Sequence, residues 1–296
     1  SFKNLNIFII GNYLLIKKQL KIIGIKINLG KVSKIEKENF KRKLLVYDVP
    51  LKFKSPFNVG LKDKSKYILQ CFRLASELAK KKKISGFINC AINKKETFGN
   101  NFTGITEFLA KKEGVLGKEA MLIYNKKLSV SPITTHIKIK QVSKNLSKKI
   151  IIDKVLTINK FFLKKFKFKP KIALLGLNPH NNELTKESEE RKVIIPAISK
   201  LKKQKIYIRG PLSSDTAFIN IKKNKFNVIV GMYHDQVLSP FKALYKYDAI
   251  NITLGLPYIR ISPDHGTGKN IIKKNLGSSK SLLEAIKFFK NINVRT

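Results

Sequence analysis

Apolar positions along this chain switch between two periodicities. Asn6–Ile10 is a short apolar, β-branched run, and Tyr13–Ile22 follows with helical spacing. Lys64–Lys82 places Ile68, Cys71, Phe72, Ala75, Leu78 and Ala79 on one helical face, and Ile84–Ile92 reads as the next strand. Further strands are predicted at Ala120–Tyr124, Lys171–Leu175, Val228–Gly231 and Ile250–Thr253, and Gly210 closes another. Helices are predicted at Thr106–Lys112, Ile151–Phe166, Ser188–Gln204 and Ser281–Ile292. Pro196 should start or kink the third of these. Ser281 and Glu284 have the spacing of a capping box for the last, whose apolar face carries Leu282, Leu283, Ile286 and Phe289. Strands alternating with helices predict an α/β fold with a largely parallel sheet.

Composition adds limits. A chain of 296 residues with 43% apolar residues can bury a substantial core in one large domain or two ordinary ones. Lysine interrupts every apolar run well short of the roughly 20 residues a bilayer span needs, so no membrane span is expected. The chain opens on Ser rather than Met and lacks the apolar core of a signal peptide, which suggests a missing natural start. Cys71 and Cys90 are too few for a disulfide framework and read as buried thiols of a reducing, cytoplasmic protein. The net charge of +42 would suit a phosphate-rich partner. However, only six of the 61 basic residues are Arg (42, 73, 191, 209, 260 and 295), and lysines are spread over nearly every element. That spread reads as a drift in amino-acid usage rather than as a nucleic-acid surface.

Against this background the lysine-free stretches stand out: 128–137, 172–185, 226–241 and 247–268, each holding one of the four histidines. His136, His180 and His234 each sit where a strand should hand over to a loop. Ligand crevices of open α/β sheets lie outside the carboxyl ends of the strands, so these three could converge on one divalent ion. The competing reading is that each is a hydrogen-bonded structural histidine, since zinc motifs usually have ligands much closer in sequence. Asp235, Gln236, Lys242, Asn251, Arg260, Asp264, His265 and Thr267 add a cation, amides and a guanidinium suited to a small phosphorylated acid. Lys242 can equally be a surface lysine. Arg260, in a segment without lysine, favours a ligand role over a structural ion pair. Gly210–Thr216 and Thr106-Glu107 after Gly104 could face a phosphate or begin helices. A G-x-G-x-x-G after the first strand and a G-x-S-x-G are both absent.

Several segments then combine: Thr134-Thr135-His136, Gly176-Leu177-Asn178-Pro179-His180, Gly210-Pro211-Leu212 with Asp215-Thr216, and Gly231-Met232-Tyr233-His234-Asp235-Gln236. With Asn251-Ile252-Thr253-Leu254-Gly255-Leu256-Pro257-Tyr258-Ile259-Arg260 and Asp264-His265-Gly266-Thr267, they resemble the 4-hydroxythreonine-4-phosphate dehydrogenase family of vitamin B6 biosynthesis. The resemblance runs over nearly the whole chain and respects order and spacing. It implies a two-lobed α/β/α fold of the isocitrate/isopropylmalate dehydrogenase type, with a cleft between the lobes. On that reading residues 1–100 plus 277–296 form the first lobe, and 101–276 form the second and carry the site.

The resemblance further implies a homodimer whose active site is shared across the interface, with His136, His180 and His234 as ligands of a Zn, Mg or Co ion. Thr106, Lys242, Asn251 and Arg260 match the family's substrate-binding residues, and His265 becomes a neighbour of the site. The implied reaction is NAD-dependent oxidation of 4-phosphooxy-L-threonine with decarboxylation to 3-amino-2-oxopropyl phosphate. Asp235 and Asp264 are the candidates for a general base or for partners that fix a His tautomer. Two departures qualify this. Ile105 stands where the family's G-H-T-E-F motif has His. The family's Gly/Pro-rich opening segment is missing, so the sequence is expected to be truncated or the enzyme reduced. The alternatives are a paralogous dehydrogenase of a phosphorylated four-carbon hydroxy acid without an amino group, and a decayed basic protein that binds nucleic acid.

Overall fold

A computed structural model describes residues 5–35, 40, 43–99, 101–102, 104–219, 221–272, 274 and 276–293; Arg42 and Arg295 lie outside them. Two compact units are present: residues 1–87, 91–102 and 266–278 form the first, and 88–90, 103–265 and 279–296 form the second.

The first unit contains β1 (Phe8–Gly11), α1 (Tyr13–Ile22), β2 (Leu29–Val32), β3 (Leu44–Asp48), α2 (Leu61–Lys80), the start of β4 (Gly86–Ile88) and α3 (Lys94–Phe98). Its sheet has the order β1-β3-β2, with both pairs parallel. Asn12 fixes the turn from β1 into α1: its side-chain oxygen accepts from Leu15 N at 2.9 Å, and its amide donates to Val49 O at 3.0 Å. Asp48, at the end of β3, accepts from Tyr13 N at 2.7 Å and pairs with Lys31 at 2.9 Å. A carboxylate is thereby set at the positive end of α1.

The second unit continues with α4 (Ile105–Lys112), β5 (Ala120–Tyr124), β6 (Ser129–Pro132), α5 (Val142–Asn145), α6 (Lys148–Phe166), β7 (Ile172–Leu175) and α7 (Ile195–Lys203). Then come β8 (Ile208–Leu212), α8 (Ile221–Asn224), β9 (Val228–Gly231), α9 (His234–Tyr245), β10 (Ile250–Leu254), β11 (Ile259–Pro263) and α10 (Lys280–Asn293). The sheet order is β11-β10-β5-β6-β9-β7-β8, joined on the β11 edge by the end of β4. One face packs Leu122, Leu174, Val230 and Ile252 against apolar residues of α6, α7 and α10. The other packs Ile123, Val130, Leu175 and Ile229 against Val237, Leu238 and Phe241 of α9. Burial on both faces explains the missing lysines: every residue of β6, β7, β9 and β11 is buried.

Four expectations change. The sheet is mixed, because β6-β9-β7-β8 is parallel while β5–β6, β5–β10 and β10–β11 are antiparallel. Short turns join β5 to β6 and β10 to β11, which only antiparallel strands allow. Gly255 makes the second of these at φ +89°, where a Cβ would also meet Lys118 O at 3.1 Å. Second, the C-terminal helix belongs with the second unit and not the first lobe, since α10 packs on β10 and β11. Third, Ser281 does not form a capping box; its hydroxyl donates to Ala249 O at 2.7 Å and accepts from Asp264 N at 2.9 Å. Finally, Cys90 is exposed rather than buried, while Cys71 is half-buried, its thiol pushed up to about 11 by burial. Pro196 falls in the first turn of α7, after a single π-helical turn at Glu190–Ile194. Among the described residues, no helix is long and apolar enough to cross a membrane.

Candidate active site

Three neighbouring parallel strands, β6, β9 and β7, end on the same edge of the sheet, and each leads into one of the predicted histidines. Pairing of β6 with β9 persists past the strands: Ile133 N donates to Gly231 O at 2.8 Å, and Thr134 donates to Met232 O through both its N–H, at 3.0 Å, and its hydroxyl, at 2.7 Å. This aligned exit brings His136 and His234 together, with ring centroids 5.8 Å apart.

Each of these rings meets a carboxylate at Nδ1. Asp235 Oδ1 lies 2.7 Å from His234 Nδ1, and Glu107 Oε1 lies 3.5 Å from His136 Nδ1. A carboxylate at Nδ1 favours the tautomer whose lone pair is on Nε2, the usual arrangement of a metal-ligating histidine. In donor chemistry the pair fits a divalent ion. His180, by contrast, sits in the Pro179–Leu184 turn at φ 49°. Among the described residues, no group of three or more His, Cys, Asp or Glu is placed to hold a metal ion. The structure thus joins two of the three predicted ligands. His265 follows β11 and is exposed.

The loop of His180 is organised by a residue the sequence did not single out. Glu190 is fully buried, and its Oε1 accepts from Leu177 N at 2.6 Å and Asn178 N at 2.8 Å. Gln236 ties three strand exits: its Oε1 accepts from Met232 N at 2.6 Å, and its Nε2 donates to Gly176 O and Ser214 Oγ, both at 2.7 Å. Gly210–Leu212 ends β8, and Ser214–Thr216 form turns rather than a helix start. Asp215 stands there with its carboxyl below the usual range, chiefly through a hydrogen bond with Ser213 and also through the charge of His180.

A second group lies on one face of the β10–β11 hairpin. Asn251 pairs with Ser262 and Thr253 with Arg260 across the strands, so alternation puts all four on one side. Arg260 is 2% exposed; its Nε donates to Asn89 Oδ1 at 2.6 Å and its Nη1 to Thr253 Oγ1 at 2.9 Å. Thr106 Oγ1 is 3.2 Å from Thr253 Oγ1. Burial pulls the guanidinium down to about 10, and the negative charge of Glu107 opposes that fall. Arg260 is therefore a buried cation whose hydrogen-bond partners are neutral and whose desolvation is offset in part by the charge of Glu107. Asn251 Oδ1 is buried and has no hydrogen-bond partner among the described residues. Lys242 pairs with Asp264 at 2.9 Å and lies over the Tyr247 ring. Ile105, where a polar contact was missed in the sequence, is buried in the first turn of α4. Neither Thr253 nor Asn89 stands out in the sequence as a site residue, although Thr253 lies in a lysine-free stretch.

The α/β chain has the isocitrate/isopropylmalate dehydrogenase-like fold, as its solved neighbours show. 4-hydroxythreonine-4-phosphate dehydrogenase from Klebsiella pneumoniae superposes with a TM-score of 0.85 at 29% identity, covering 96% of this chain and 87% of that one. The enzyme of the same name from Burkholderia phymatum gives 0.81 at 27%, covering 98% and 90%. The chain is a member of the family described as pyridoxal phosphate biosynthetic protein PdxA, whose model matches residues 3–289. A 4-hydroxythreonine-4-phosphate dehydrogenase of Aquifex aeolicus is 40% identical over 275 residues, 92% of this chain and 84% of the relative. D-threonate 4-phosphate dehydrogenase of Salmonella typhimurium is 35% identical over 222 residues, 74% of this chain and 67% of the relative.

Proposed function

We propose that this chain is an NAD-dependent 4-hydroxythreonine-4-phosphate dehydrogenase of vitamin B6 biosynthesis. It would oxidise the secondary hydroxyl of 4-phosphooxy-L-threonine, passing hydride to NAD and a proton to a base. The resulting 3-keto acid then loses carbon dioxide to give 3-amino-2-oxopropyl phosphate. The observation that carries the reading is the pairing of His136 and His234, each with a carboxylate at Nδ1, in a chain of this family.

Arg260 and Lys242 neutralise the anionic groups of the substrate, and Thr106 and Asn251 orient it with hydrogen bonds. Filling this site would give Arg260 an anion in addition to the charge of Glu107, and Asn251 Oδ1 a donor, the substrate's ammonium or hydroxyl. Asp235 holds the His234 ring in place. Asp264, largely buried beside Lys242, is the candidate for the base. His136, His180 and His234 would hold a Zn, Mg or Co ion, the set being completed in a homodimer. Such an ion lowers the hydroxyl pKa and stabilises the charge that develops on oxygen.

The test is NADH formation from 4-phosphooxy-L-threonine before and after chelation. Activity should vanish with chelator and return with added divalent ion, and His234→Ala should lower kcat/KM by about 100-fold or more. Chelator-resistant activity would remove the metal from the account. One observation favours a second reading. Ile105 withholds a polar contact, and a relative named for D-threonate 4-phosphate suggests a substrate without the amino group.

A further inference from the structure

We propose that Glu107 is a positioning residue that fixes the ring of His136 through its carboxylate. This inference rests on the reading of His136 as a metal ligand.

Glu107 is in the first turn of α4, three residues after the N-cap Gly104, which offers no side-chain cap. Its Oε1 accepts the Thr135 hydroxyl at 3.3 Å and faces His136 Nδ1 at 3.5 Å, reaching from α4 to the exit of β6. Oε2 is buried and has no hydrogen-bond partner among the described residues.

Two buried cations make this carboxylate hard to replace. Arg260 and Lys154 of α6, 2% and 5% exposed, both feel the charge of Glu107. Burial pushes the Lys154 ammonium below its ordinary range, against the pull of Glu119 and Glu107. Glu107 Oε1 faces the ring at Nδ1, and a carboxylate oxygen at that position favours a proton on Nδ1 and the lone pair on Nε2. Asp235 does the same for His234 from the adjacent position in sequence. Glu107 does it from another element, on the residue that follows Thr106. The first turn of α4 therefore joins the histidine pair to the Thr106–Thr253–Arg260 group.

The chain has only four histidines, so ring ¹⁵N NMR can resolve His136 in the full-length protein at a pH where imidazole is neutral. The parent should show the Nδ1–H tautomer. Glu107→Ala should give mixed tautomers and bind zinc about 10–100-fold more weakly in calorimetry. Glu107→Gln keeps an acceptor oxygen in place and should restore the tautomer and most of the affinity. The inference is overturned if Glu107→Ala leaves both tautomer and zinc affinity unchanged, or if Glu107→Gln behaves as the alanine variant does. If the parent makes no NADH from 4-phosphooxy-L-threonine while the alanine variant still shifts His136, the proposed function fails and the role of Glu107 stands.

Discussion

At the residue scale the site depends on side chains whose burial is tolerable only with particular partners. Arg260 donates two fixed hydrogen bonds at once, to Asn89 and to Thr253. Lysine carries the same charge but cannot reproduce that fork. Arg260→Lys should therefore lower kcat/KM by a factor of about 30, equivalent to roughly 2 kcal/mol, with most of the loss in KM. Steady-state kinetics at saturating NAD would check this, and an unchanged KM would argue for a structural ion pair instead. Close approach is similarly restrictive at Gly231, where a Cβ would meet Val237 Cγ1 at 2.6 Å and Gln236 Oε1 at 2.7 Å. His136, His234 and Arg260 stand out in the sequence because buried strands exclude lysine in a chain otherwise full of it, whereas the same signal at His180 marks a residue the structure does not bring to the pair. Glu107 and Glu190 were not, since a carboxylate declares its partner only after folding. Ile105 was noticed as a lost contact, and its burial supplies the reason that an apolar residue is stable there.

At the element scale, segments with one dominant periodicity were read closely: Tyr13–Ile22, Ala120–Tyr124 and Val228–Gly231 coincide with α1, β5 and β9. Elements whose residues contradict their conformation were not. Pro240 lies inside α9, so the segment after His234 read as loop, and Ser129–Pro132 is short and polar enough that only a strand exit ahead of His136, not its bounds, could be read. The spacing of Ser281 and Glu284 suggested a cap, whereas the hydroxyl of Ser281 serves strands far away in sequence. Asp48 gives an element-scale prediction. Its carboxyl is affected first by burial, which raises it, but the Tyr13 N–H and Lys31 prevail and hold it below 3.8. A carboxyl lowered in the folded state adds stability that is fully present above its unfolded value and is lost as pH falls through the folded one. Asp48→Asn should thus destabilise the protein by about 1 kcal/mol at neutral pH, through the end of α1. The deficit in urea unfolding should shrink as pH drops below 3.8. A deficit independent of pH would assign it to packing.

For the whole molecule, the +42 charge and the site are separate matters. Lysines are distributed over both units, while the residues proposed for chemistry lie in the second unit, at one edge of its sheet, on one face of a hairpin and on α4 and α9. The fold class was legible from the alternation of strands and helices. The division of the chain was not, because α10 returns to the second unit after a segment that belongs to the first. The central claim concerns which phosphorylated acid this site oxidises. The most direct measurement is therefore kcat/KM for 4-phosphooxy-L-threonine and for D-threonate 4-phosphate, followed as NADH formation in the same metal-loaded preparation. The account predicts the higher value for the amino substrate and loss of both activities on chelation. A higher value for D-threonate 4-phosphate, or no turnover of the amino substrate, would contradict it.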